Sequence, residues 1–421
     1  MLSAPKTLCC SVGRKLILLT ILLLYSAVTY VVPAAAQNYT IIHNFGGQDF
    51  PNAGVTLNAA TNLYGNAGEQ TVYRMRKMGT NWLFFPLYEF NGLDGEQPAG
   101  RVTLGADGTV YGASQLGGIT DCGNQGDYYG CGLIFHLQPS ITVCQTSLCY
   151  WTETPIYQFD PVNHPGDGHS PNGGLIFDSA GNIYGTAQAG GTDDSGTVFV
   201  LSPSQGGWTE TTIHSFQFSI DGGPPNGNLV IDRNGNILGT TQVGGGEGRG
   251  VVFELTPTSS GWVETILHEF SSDVGGYTIG GLISDAAGNL YGTTLIGGTN
   301  GGPTGGGTVY ELTPSNGTYT FQVLHNFTGN PDQFGPIGIL AIDSSGNLYG
   351  ATEDQGAFGL GNIFKLTHNS GQWTYSNLHD FNGNGAYPKD GPTVDASGNL
   401  YGTAYGANDG CNPCVVWEIT P

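Results

Sequence analysis

The sequence predicts an all-β chain: a seven-bladed β-propeller of four-stranded antiparallel blades, closed by an N-terminal strand that completes the last blade. Three observations carry that expectation. A tetrad recurs seven times, four short strand-like runs surround each copy in a fixed order, and one unit is divided between the two ends of the chain.

The tetrad is Asn62-Leu63-Tyr64-Gly65, Thr109-Val110-Tyr111-Gly112, Asn182-Ile183-Tyr184-Gly185, Asn236-Ile237-Leu238-Gly239, Asn289-Leu290-Tyr291-Gly292, Asn347-Leu348-Tyr349-Gly350 and Asn399-Leu400-Tyr401-Gly402. Such regular recurrence is the mark of a repeat architecture. In one clear unit the runs are 281–283 (strand a), 289–294 (b), 307–313 (c) and 319–327 (d), separated by Gly, Pro, Asn and Asp clusters. Nothing longer than a turn shows helical periodicity.

Radial repetition of four-stranded sheets protects strand edges, and a stacked solenoid is its rival. The ends decide between them. The last strand c, 415–420, has no strand d after it, whereas 39–45 at the other terminus matches the d pattern of 265–270. A linear stack gives no reason to split a unit in this way. The 71 glycines and 11% aromatic residues suit many tight turns between short strands, and the absence of a glycine period of three excludes collagen.

The N-terminus reads as an export signal. Lys6, Arg14 and Lys15 precede an apolar run over 16–32, and Ala34-Ala35-Ala36 offers a small-residue cleavage site. Residues 1–36 are expected to be removed, taking Cys9 and Cys10 with them. The alternative is a retained anchor, for which the run is short of the ~20 apolar residues that span a bilayer. The expected domains are the signal, 1–36, and a single propeller, 37–421, with no membrane span after cleavage. The net charge of −22 becomes more negative once those basic residues leave. So acidic a surface lacks the cationic footprint that nucleic acid requires.

The units 285–294, with Asp285, Gly288, Asn289, Tyr291 and Gly292, 307–314, with Tyr310, Glu311 and Pro314, and 324–327, with His325 and Phe327, resemble the GloVer-type tandem repeat. That repeat occurs in exported bacterial choice-of-anchor tandem repeat proteins. The resemblance covers essentially all of 37–421 and implies an exported repeat protein with no assigned reaction. Members often carry a C-terminal sorting segment, whereas this sequence ends at its last strand. A free secreted or periplasmic protein, acting as a monomer, is therefore expected rather than one anchored at the cell surface.

Residues that recur in every blade read first as scaffold. His43, His214, His268, His325 and His379 share one position in strand d, held elsewhere by Tyr88 and Tyr157. Flat rings with one hydrogen bond each explain both choices better than a metal or base role. Asp178, Asp232, Asp285, Asp343 and Asp395 precede the Gly-Asn of the a–b turn, where a carboxylate accepts backbone N–H groups. The tetrad tyrosines are expected to pack between blades, since Leu238 replaces one of them.

Antiparallel succession puts the a–b and c–d turns on one face and the b–c and d–a loops on the other. The second face varies, and a binding site is expected there. Its candidate ligand-binding residues are Asp94, Asp167, His169, Asp221 and Asp332 in d–a loops, and Asp193, Asp194, Glu247 and Asp354 in b–c loops, with Tyr128 and Tyr129 in the blade-two insertion. Converging carboxylates would bind calcium or act as an acid–base pair on a sugar. Otherwise they are solvated charges that keep the protein soluble. No other cofactor is indicated, and no catalytic residue can be singled out. The expected disulfides are Cys122–Cys131, Cys144–Cys149 and Cys411–Cys414. The leading function is an extracellular binding protein, for glycans or another exported ligand. The alternatives are a propeller hydrolase or lyase and a structural envelope component.

Overall fold

Seven four-stranded antiparallel sheets contain all the strands of a computed structural model, which describes residues 37–47, 50, 51, 53–122, 129–140, 150–298, 305–328, 335–406 and 411–421. The expected signal, 1–36, lies outside the described residues. Blades 1 to 6 occupy 56–89, 96–158, 168–215, 223–269, 283–326 and 336–380, each with its strands hydrogen-bonded in the order a, b, c, d. Blade 7 takes strands a to c from Thr393–Val394, Leu400–Ala404 and Cys411–Thr420, and its strand d is Asn38–Gly47. Tyr39 faces Ile419 and Ile41 faces Trp417 across that closing pair. The divided unit is thus joined as the sequence predicts.

Packing explains the tetrad. Its glycine lies directly under a strand c ring: a Cβ on Gly292 would stand 2.3 Å from the Tyr310 hydroxyl, and one on Gly402 would stand 2.3 Å from the Trp417 ring. No larger residue fits there. The tyrosine before it reaches back to the a–b turn, where Asp285 Oδ1 accepts the N–H groups of Ala287 and Asn289 while Oδ2 accepts the Asn289 amide and the Tyr291 hydroxyl. Asp178, Asp343 and Asp395 hold the same set. Asp232 lacks only the hydroxyl, because Leu238 stands in the tyrosine's place. Apolar cores lie between blades: one joins Tyr184, Val198 and Ile213 of blade 3 to Leu229, Ile237 and Phe253 of blade 4.

Strand a of every blade faces the axis, where neighbouring backbones touch. A Cβ on Gly227, at φ +76°, would lie 2.3 Å from Gly281 N, and one on Gly280 would lie 1.9 Å from Gly338 O. This girdle narrows the channel, and between blades 7 and 2 it gives way to an ion pair. Arg101 Nε donates to Asp390 Oδ2 at 2.6 Å, while its two terminal nitrogens donate to Thr393 Oγ1 and Gly391 O. Asp390 also accepts backbone N–H groups from Gly54, Ile339 and Gly391. One carboxylate therefore gathers blades 1, 2, 6 and 7 at the axis.

Candidate functional site: the loop face and its seams

The two faces differ in the way strand direction requires. On one, Asp-capped a–b hairpins repeat. The other bears the d–a and b–c loops, with Leu93, Tyr129, Val162, Phe218, Ile220 and Phe358 exposed. Beside the axis on this face, a cleft of about 280 Å³ lies between blades 1, 2 and 3, lined by Phe50, Glu69, Gln97, Pro98, Ala99, Gly100, Gln115 and Asn172. Gln97 adopts a left-handed φ of +54°, fixed by its N–H bond to Glu69 O. Gln115 donates to Gln188 Oε1, and the Phe50 ring rests 5.2 Å from that of Tyr405.

The d-strand rings sit at the seams between blades. In all seven d strands a bulge falls on an Ile or Leu just before the ring position, at Ile42, Leu87, Ile156, Ile213, Leu267, Leu324 and Leu378. A bulge re-aims the next side chain, and here the ring turns toward the following blade. What it meets there is the residue four places ahead of that blade's own ring. At four seams this is an aromatic: His43 stacks on Phe84, His268 on Phe321, His325 on Tyr375 and His379 on Tyr39, with ring centroids 3.7 to 4.6 Å apart. Burial keeps the His268 imidazole neutral, pushing its pKa down to about 4.

At three consecutive seams the facing residue is Glu153, Glu210 or Glu264. There a d–a loop aspartate approaches the ring from the other side. Tyr88 donates its hydroxyl to Asp94, Tyr157 donates to Asp167 at 2.8 Å, and His214 Nε2 stands 3.0 Å from Asp221 Oδ2 and 3.9 Å from Glu264 Oε2. Burial, with the neighbouring aspartate reinforcing it, pushes the Glu153 and Glu210 carboxyls up to about 7. Glu264 also rises to about 7 through burial, against the opposing pull of His214.

Of the residues singled out in the sequence, Asp94, Asp167 and Asp221 are thus gathered at the seams, with Asp167 and Asp221 buried. His169 is buried too, its Nε2 3.5 Å from Asp194 Oδ1. Asp193, Asp194, Glu247 and Tyr129 are exposed, and Asp354 is half-buried in its loop. Tyr128, Asp332, Cys144 and Cys149 lie outside the described residues. Among the described lining residues the cleft holds one carboxylate, Glu69, and the axial channel holds one, Asp390. The sequence reading missed Glu153, Glu210, Glu264 and Arg101. The first three are signalled by the alternation of Glu with Phe or Tyr four residues before the strand d ring. Cys122 and Cys131 form the expected disulfide, and Cys414 is disulfide-bonded as well.

Seven radial sheets, a glycine girdle and a division into a turn face and a loop face define a closed β-propeller repeat protein. The chain belongs to the Gloeobacter/Verrucomicrobia repeat family, matched over residues 25–230, 122–302 and 265–421. No curated protein matches it. Solved structures similar to it include the polysaccharide lyase Uly1, at 11% identity over 88% of this chain and 89% of that one with a TM-score of 0.49. The soluble aldose sugar dehydrogenase of Escherichia coli is 12% identical over 91% of this chain and 99% of its own, with a TM-score of 0.48. A Dyadobacter fermentans protein of unknown function is 14% identical over 76% and 93%, with a TM-score of 0.42.

Proposed function

We propose that the chain is an exported binding protein that holds an extracellular carbohydrate in the cleft between blades 1, 2 and 3. The observation that carries this reading is the cleft's chemistry: one ring, three planar amides and a single carboxylate. Amides and a carboxylate pair with vicinal hydroxyls, and an aromatic face takes the C–H side of a sugar. Hydrolysis by the usual route needs a second carboxylate, so this lining favours holding over cleaving. The Cys122–Cys131 disulfide supports an oxidising compartment, secreted or periplasmic, and no helix among the described residues is long and apolar enough to cross a membrane.

A glycan array followed by calorimetry tests the proposal. Gln97→Gly removes an amide while relieving the left-handed strain. It is expected to weaken binding about tenfold, the worth of one hydrogen bond, without lowering the melting temperature. Phe50→Ala is expected to weaken it at least as much. An array with no bound glycan, or affinity indifferent to both changes, refutes the cleft as the site.

A further inference from the structure

We infer that the seam between blades 3 and 4 is a divalent metal site of the zinc class, with His214, Asp221 and Glu264 as its protein ligands. The three offer one nitrogen and two carboxylate oxygens, all within 4.8 Å of one another. Tetrahedral bonds of about 2.1 Å from a zinc-like ion would set such atoms about 3.4 Å apart, so His214 and Asp221, 3.0 Å apart, already suit it and Glu264 would have to move in. Each ligand comes from a different element. His214 sits on strand d of blade 3 and is aimed by the bulge at Ile213, Asp221 sits on the following d–a loop, and Glu264 sits on strand d of blade 4. The bound ion would tie the blades together.

Two further observations point to a ligand. Glu264 Oε1 is shielded from solvent and has no hydrogen-bond partner among the described residues, so a buried carboxyl oxygen lacks its complement, as Glu153 Oε1 and Asp167 Oδ1 do at the two tyrosine seams. Asp221 is oriented from behind, its Oδ1 accepting the Gln217 N–H at 2.6 Å while Oδ2 faces the imidazole. That outer hydrogen bond is what keeps a metal-binding carboxylate in place. The other strand d histidines do not repeat the arrangement, since His43, His268, His325 and His379 meet aromatic rings. The two preceding seams supply the same pair of acids but present a tyrosine. Its neutral O–H satisfies the aspartate and offers a divalent ion no lone pair comparable to that of imidazole nitrogen. Histidine between two acids is therefore the distinguishing feature.

The repeat supplies its own controls. His214→Tyr installs what Tyr88 and Tyr157 already are in folded blades, so it is expected to fold. Zn²⁺ titrated into the chelator-treated full chain is expected to fill one tight site at this seam, and His214→Tyr is expected to weaken that site at least a hundredfold. Tyr157→His, which faces Asp167 and Glu210, is expected to raise the stoichiometry by one. Absence of tight Zn²⁺ binding in the parent chain, or binding unchanged in His214→Tyr, overturns the assignment. A folded Tyr157→His chain with unaltered stoichiometry overturns the rule that histidine between the two acids is sufficient.

Discussion

Replacing Arg101 with methionine tests how the ring is held at its closure. The side chains of Arg101 and Asp390 are only 13% and 8% exposed, so the pair is desolvated rather than a surface contact. Removing one member of a buried pair costs about 3–5 kcal/mol, because the other charge stays behind unpaired. Three backbone N–H groups still face Asp390 after the change, which places the expected loss toward the lower half, about 3–4 kcal/mol. At roughly 2.1 cal/mol/K per residue, a propeller of about 385 residues has an unfolding entropy near 0.8 kcal/mol/K, so the melting temperature should fall by about 4–5 °C. Calorimetry reads the shift directly. The double change Arg101→Met with Asp390→Asn is expected to cost less than the sum of the single changes, since no lone charge remains. A loss below about 1 kcal/mol, or strict additivity in the cycle, would refute the view that this pair secures the ring.

Other expectations follow from the same packing. Gly227→Ala drives a Cβ to 2.3 Å from the next blade's backbone, whereas Gly235→Ala, at a similar φ, meets nothing within 4 Å. Denaturation midpoints should show a loss of about 1–2 kcal/mol for Gly235→Ala from the left-handed backbone alone, and a much larger loss or failure to fold for Gly227→Ala. Asp285→Ala removes an acceptor that serves four donors and is expected to cost about 2 kcal/mol, measured as a lowered urea midpoint. The raised Glu153 and Glu210 carboxyls make stability pH-dependent. A proton held more tightly by the folded state favours folding below the ordinary carboxyl range, and that gain disappears as pH climbs through about 7. Glu153→Gln and Glu210→Gln should therefore match the parent near pH 4 and exceed it at pH 8. The expected gain is about 1 kcal/mol each after allowance for solvent screening of half-buried groups; equal curves for parent and variants at pH 8 would contradict it.

The scaffold was legible because each of its rules is written several times. Tetrad, turn aspartate and d-strand ring recur in register, so blade number, strand order and circular closure can be counted from the amino-acid sequence. The replacement of tyrosine by Leu238 even announced a packing role, although not the bond from its counterparts to the turn aspartate. Contacts that occur once had no such redundancy. Arg101 and Asp390 lie 289 residues apart, and nothing local pairs them. The seam glutamates occupy a position that elsewhere holds Phe or Tyr, so a search for constant residues passes over them. The loop aspartates stood out as candidate ligand-binding residues on the variable face, but only the strand bulge shows why a ring would meet them from beneath.

The antiparallel clasp of 38–47 with 411–420 also sets the order of assembly. During synthesis the first of these strands is made long before its partner exists, and it must wait as a bare edge, the kind of element that recruits the wrong neighbour. Blades 1 to 6 can each form from contiguous chain, but the seventh, whose strands a to c are contiguous, is completed only when 38–47 joins it. A polypeptide lacking either strand of the clasp would therefore keep most of its sheets while leaving one strand edge without its partner.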